Sequence, residues 1–217
     1  MNSPYNIVIY LYYRMTALDA IGPYEVFRCV PGAEVRFAAK HPGLIKTDSG
    51  LEMLNAEFGI NDIDGADILL VPGGDAALQT KDQEVLQWIR RLHETTKWTT
   101  SVCVGSLILG AAGLLKGLQA TTHWNTMEAL QLFGAKPVNE RFVQQGKIIT
   151  AAGVSAGIDM ALWLVALEWG EEMAQQIQLT IEYDPQPPFH TGSPDKATPP
   201  LIENAKEFLI ELYSAKT

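Results

Sequence analysis

The chain has little of what marks several common functional classes. Two cysteines in 217 residues, Cys29 and Cys103, are too few for a disulfide framework and point to a reducing compartment. Basic residues are in deficit, with 16 Lys plus Arg against 25 Asp plus Glu and a formal net charge of −9. That balance disfavours a phosphate backbone and suits a neutral or cationic small molecule, so no nucleic-acid partner is expected. The apolar run Ile7 to Tyr13 is too short to span a bilayer, and Met1 to Asn6 lacks the basic residues of a secretion signal. A cytoplasmic protein with no membrane contact is expected. The four histidines, His41, His93, His123 and His190, show no metal-ligand spacing with one another or with the cysteines, so no metal is expected. Gly110 and Gly113 fall within and just after a helical pattern, where no phosphate-cradling loop forms, and no cofactor is implied. No linker or shift of composition divides the chain, which reads as one domain over residues 1–217.

What is present is an alternation of apolar strands and helices. Ile7 to Tyr12 is a near-continuous β-branched and aromatic run, as a central strand covered on both faces requires. Leu18 to Phe27 follows as a helix, with Pro23 read as part of its first turn and Asp19 at a loop-to-helix boundary. Val35 to Ala39 and Asp67 to Val71 read as further strands, and Gly43 to Phe58 as irregular structure or a short hairpin. Gln83 to His93 is an amphipathic helix leading into the strand Trp98 to Val102. Beyond it lie a helix opening at Val104, a short strand from Gln119 to Trp124 and an apolar run at Ile148 to Gly153. Helices then follow over 157–169, 171–183 and 200–213. This alternation predicts an α/β layered fold with a mostly parallel sheet.

Cys103 stands where the strand Trp98 to Val102 gives way to the helix, between the small residues Ser101 and Gly105. That is the pattern of a cysteine nucleophile elbow, in which a sharp turn projects the side chain above the sheet and the helix N-terminus favours a thiolate. The competing reading is an inert buried cysteine, which fits Cys29 better. The Asp19 loop, the Pro72-Gly73-Gly74 loop and the Cys103 elbow all end where an open α/β sheet builds its site. An N–H at Gly73 or Gly74, with that of Val104, could form an oxyanion hole, although two glycines also make an ordinary tight turn. Asp19 could equally be a helix N-cap. His123, beside Trp124, is a candidate base or substrate contact, or a structural histidine.

These segments together resemble the ThiJ/PfpI superfamily of flavodoxin-like cysteine proteins. The resemblance to its isonitrile (isocyanide) hydratase branch rests on Leu18-Asp19-Ala20-Ile21-Gly22-Pro23-Tyr24-Glu25-Val26-Phe27, Val71-Pro72-Gly73-Gly74, Ser101-Val102-Cys103-Val104-Gly105-Ser106, Ala120-Thr121-Thr122-His123-Trp124, Ala156-Gly157-Ile158-Asp159 and Glu182-Tyr183-Asp184-Pro185-Gln186-Pro187-Pro188-Phe189. The resemblance implies a three-layer sandwich, a homodimer, and a hydro-lyase in which Cys103 is the nucleophile and Asp19 its proton partner. Isocyanides would become N-substituted formamides through a thioimidate on Cys103. The hydratase branch carries threonine after the nucleophile, and Val104 departs from it, which puts rate and substrate range in question. The elbow is shared with ligand-sensing domains of AraC-type regulators. Two other readings therefore stand beside the hydratase: a glyoxalase-like thiol enzyme for small α-oxoaldehydes, and a redox or ligand-sensing module without turnover.

Overall fold

A computed structural model describes residues 4–214; residues 1–3 of the N-terminal segment lie outside the described residues. In chain order the strands and helices are β1 (Tyr5–Tyr10), α1 (Ala17–Phe27), β2 (Ala33–Ala39), β3 (Gly43–Lys46), β4 (Glu52–Ala56), β5 (Phe58–Gly59), β6 (Ile68–Val71), α2 (Gln83–Thr95) and β7 (Trp98–Val102). They continue as α3 (Gly105–Ala111), β8 (Gln119–Ala120), β9 (Lys136–Pro137), β10 (Phe142–Gln145), β11 (Ile148–Ala151), α4 (Ala156–Trp169), α5 (Glu171–Thr180) and α6 (Pro199–Ser214).

Seven strands form the main sheet in the order β10-β11-β7-β6-β1-β2-β5. All neighbours run parallel except the edge pair β10 and β11. The connection from β1 to β2 runs one way across the sheet and that from β6 to β7 the other. Right-handed crossovers therefore place α1 and α2 on opposite faces. Helix α4 packs on α1 with α5 against α4, and α3 packs with α2, completing the three layers of a flavodoxin-like α/β fold. Covered on both sides, the central strands bury every side chain from Ile7 to Tyr10 and from Ile68 to Val71. β7 is richer in hydroxyls, yet Thr100 Oγ1 donates to the Leu69 carbonyl at 3.0 Å, so its polar atom is satisfied inside the sheet.

The helices form where caps and periodicity agree. Asp82 caps α2 by accepting from the N–H groups of Glu84 and Val85, and the buried face repeats at Val85, Leu86, Trp88, Ile89 and Leu92. Pro23 is not in the first turn of α1 but in its interior. Lacking an N–H, it withholds the helical hydrogen bond from the carbonyl of Asp19, four residues earlier. The segment ending at His123 and Trp124 is a strand only over Gln119 and Ala120; a kinked 3₁₀ run then occupies Trp124–Phe133 with His123 as its N-cap. Gly43 to Phe58 resolves into the antiparallel β3–β4 hairpin and the short strand β5. α5 stops at Thr180 rather than Tyr183, and Glu182 takes a positive φ of 52°.

Register positions the site. Val71 pairs with Ser101, and Val102 with Ala151, so these three strands end side by side. Continuing the same offset by two residues brings Gly73 beside Cys103.

Candidate active site

Cys103 sits at φ 58°, left-handed backbone that a non-glycine residue rarely adopts. The local hydrogen bonds hold it there. Its N–H donates to the carbonyls of Ala151 and Ala152, at 3.0 and 3.1 Å. Its own carbonyl accepts from Thr122 Oγ1 at 3.0 Å and Ser106 Oγ at 3.2 Å. Gly105 lets α3 start this close to β6, since a Cβ there would collide with the carbonyls of Val71 and Pro72. The side chain is only 6% exposed, at the floor of a cavity of about 790 Å³.

Asp19 is fully buried in the first turn of α1 and does not cap it; Thr16 occupies the N-cap position. Its Oδ2 accepts from the Gly73 N–H at 2.8 Å, while Oδ1 has no hydrogen-bond partner by ordinary geometry. A Cβ on Gly73 would lie 2.7 Å from Cys103 Cβ, 2.7 Å from the Val104 nitrogen and 2.8 Å from Asp19 Oδ2. The absence of a side chain at 73 is thus what lets acid and thiol meet. The Gly73 N–H, a candidate oxyanion donor from sequence, is directed at the Asp19 carboxyl. Of the two glycines, Gly74, at φ 117°, is the one on the cavity wall.

The electrostatics follow from burial. Desolvation pushes the Asp19 carboxyl up to about 8, against the opposing Gly73 hydrogen bond, with the nearby Asp48 carboxylate adding to the rise. Burial also pushes the Cys103 thiol well up, and the Asp19 charge adds to it; the N–H groups of Val104 and Val154 oppose both. Burial thus opposes the pull toward the thiolate that the N–H groups at the helix start exert. Acid and thiol lie close enough that the charge of each bears on the other, so the pair titrates together.

Val154 has φ 30°, an outlier for a β-branched residue, and its N–H is one of the two that lower the Cys103 thiol against burial. Val104 lines the cavity and supplies an N–H but no hydroxyl. His123 also lines the cavity; burial lowers its pKa, and its Nδ1 accepts from the Asn125 N–H at 3.4 Å. That hydrogen bond makes the ring the N-cap of the 3₁₀ run.

Four contributors were not readable from sequence: Val154, Asp48, Thr16 and Tyr213. Thr16 Oγ1 donates to Asp48 Oδ2 at 2.6 Å, and the Tyr213 hydroxyl reaches the same oxygen at 3.5 Å. All four line the cavity. Thr122, the clamp on the Cys103 carbonyl, lies in the quoted Thr-Thr-His-Trp segment, but nothing in that motif specifies what its hydroxyl meets. No group of three His, Cys, Asp or Glu side chains suited to a metal occurs among the described residues. None of their helices is long and apolar enough to cross a membrane.

The pattern of the DJ-1/PfpI family matches residues 5–167. The chain belongs to that family. Among its relatives, an isonitrile hydratase of Pseudomonas putida is 39% identical over 198 residues, 91% of this chain and 86% of the relative. The HTH-type transcriptional regulator CdhR of Pseudomonas aeruginosa is 31% identical over 137 residues, 62% of this chain but 40% of the regulator. A THiJ/PfpI family protein from Pseudomonas syringae superposes with a TM-score of 0.91 at 37% identity, covering 97% of this chain and 88% of that one. DJ-1 of Schizosaccharomyces pombe shares the fold, with a TM-score of 0.70 at 19% identity over 81% of this chain and 98% of that one.

Proposed function

We propose that this DJ-1/PfpI family protein is a cysteine-dependent isonitrile hydratase, converting an isocyanide and water to an N-substituted formamide. The observation that carries the reading is the meeting of the buried Asp19 carboxyl with Cys103 across Gly73, where burial pushes both groups toward their neutral forms. Similarity to an isonitrile hydratase over 91% of the chain supports the choice of substrate.

The terminal carbon of an isocyanide accepts both a nucleophile and a proton. The Cys103 thiolate forms the S–C bond, and Asp19 delivers its proton to the same carbon, giving a thioimidate. Water adds to that carbon, and one of its protons passes through the Asp19 carboxylate to the nitrogen. Asp19 then takes the remaining hydroxyl proton as the carbonyl forms and the C–S bond breaks. Formamide leaves, and the thiolate and the acid are both restored. The Val104 and Val154 N–H groups stabilise the sulfur anion at the start and the end of this cycle.

The match to a regulator favours a second reading, in which the cavity binds a ligand without turning it over. The family's thiol chemistry also suits an α-oxoaldehyde substrate. Steady-state assays separate the three: the hydratase reading predicts formation of N-phenylformamide from phenyl isocyanide, lost in Asp19→Asn. Consumption of methylglyoxal alone would select the glyoxalase-like reading, and turnover of neither would select the sensor.

A further inference from the structure

We infer that the last turns of α6, through Leu209, Leu212 and Tyr213, form the subsite for the isocyanide's substituent, selecting a neutral aryl-sized group over a methyl or a carboxylate-bearing one. The reaction in this inference rests on the hydratase reading; the shape and polarity of the subsite do not.

The cavity has a depth gradient. Its floor holds the 6% exposed Cys103, while Leu212 is 37% exposed and Ile210 65%, so α6 forms part of the mouth. An R–N≡C group is linear, and when its terminal carbon meets a buried sulfur the substituent must extend away from that sulfur. The way out of the floor leads to the mouth, where Leu132 and Phe133 join the α6 side chains. About 790 Å³ lies within the range of pockets that enclose sizeable ligands and leaves a methyl substituent largely without contacts.

Polar contacts fix this wall and give it a charge preference. Arg14 donates through Nη2 to the Tyr213 carbonyl at 3.1 Å and pairs through Nε with Asp75 at 3.1 Å. The Tyr213 hydroxyl meets Asp48, which Thr16 also holds. The end of an otherwise exposed helix is thus tied to the loop after β1, to the β3–β4 hairpin turn and to the segment after Gly74. Two carboxylates, Asp48 and Asp75, line the same cavity. A carboxylate-bearing substituent would be repelled there, whereas an apolar ring meets leucines.

The test compares kcat/KM for phenyl isocyanide, methyl isocyanide and isocyanoacetate in native protein, Leu212→Ala and Leu212→Asp. The native enzyme should prefer phenyl to methyl isocyanide and use isocyanoacetate poorly. Leu212→Asp should lower kcat/KM for the phenyl substrate about tenfold or more through KM, from the lost apolar contact, with the methyl substrate within about twofold. Leu212→Ala should move the phenyl-to-methyl ratio the same way by less. An unchanged ratio in both variants would overturn the assignment. Calorimetric binding of N-phenylformamide to native protein and Leu212→Asp tests the wall without turnover. Binding weakened by the substitution supports it even if no isocyanide reacts, an outcome that sinks only the hydratase reading; equal binding in both overturns it.

Discussion

The floor and the mouth of the cavity are built by different means. At the floor, β6, β7 and β11 end in register, Cys103 and Val154 hold left-handed backbone, and hydrogen bonds from Thr122, Ser106 and Gly73 fix the Cys103 carbonyl and the Asp19 carboxyl. At the mouth, one partly exposed helix and the end of a 3₁₀ run supply apolar side chains, tied down chiefly through Arg14 and Asp48. Geometry that must be exact to fractions of an ångström sits on the rigid sheet, while surface that need only fit a substituent sits on a peripheral element. Substitutions at the floor should therefore strike kcat, and those at the mouth KM and selectivity.

The largest expected effect is that of Cys103→Ala, which should reduce formamide production by a factor on the order of 10³ or more without loss of fold, checked by steady-state rate and circular dichroism. Next is Asp19→Asn, which keeps an oxygen to accept from Gly73 but carries no exchangeable acid proton. It should lower kcat roughly 10²- to 10⁴-fold. The same substitution should stabilise the fold. In the native chain Asp19 titrates about 8, against a usual value near 3.8, so between those values the unfolded state releases a proton that the folded state retains. Stability contributed by the protonated acid is full below the lower value and is lost as pH rises toward 8. Asp19→Asn should accordingly exceed native stability at pH 7 by on the order of 2–4 kcal/mol, with the gap closing toward pH 4, as denaturant titration would show.

Because the proton on Asp19 is required, kcat/KM should fall as pH rises through about 8, and Asp19→Asn should lose that limb from its residual rate. Thr122→Val removes one of two donors to the Cys103 carbonyl and should cost about 1–3 kcal/mol of stability, with a several-fold loss of kcat and little change in KM. The smallest effect should come from Val104→Thr, which adds a hydroxyl near the sulfur while keeping the backbone N–H. Either direction of a few-fold change in kcat is compatible with the floor as described, but an altered phenyl-to-methyl preference would blur the division between floor and mouth.

How much of this was legible depended on how local the signal is. Ile7 to Tyr10 and Ile68 to Val71 announce buried strands because both faces are covered and no alternation is needed. Ser101-Val102-Cys103-Val104-Gly105 reads as an elbow because strand, turn and helix all lie within one short stretch. Phe142–Gln145 gave no such signal: an antiparallel edge strand with two glutamines has only one neighbour and a half-solvated face. Pro23 misled in position, since the helix tolerates it inside α1 where the Asp19 carbonyl forgoes its partner. The site divides along the same line. Cys103, Asp19, Gly73 and Gly74 lie at strand ends or just beyond a predicted strand, and sequence marks such places. Asp48 sits in a hairpin turn and Tyr213 in the last helix, 165 residues apart, and only tertiary packing brings them together. Val154 was hidden for another reason: a valine argues against the positive φ it adopts.

The most direct test of the central claim is formamide production from phenyl isocyanide by native protein and Cys103→Ala, followed side by side by NMR. Covalent catalysis by Cys103 requires steady formation of N-phenylformamide by the native protein and none above the uncatalysed rate in the variant. Equal rates in the two would contradict covalent catalysis by Cys103 and leave the strained elbow without the chemistry assigned to it.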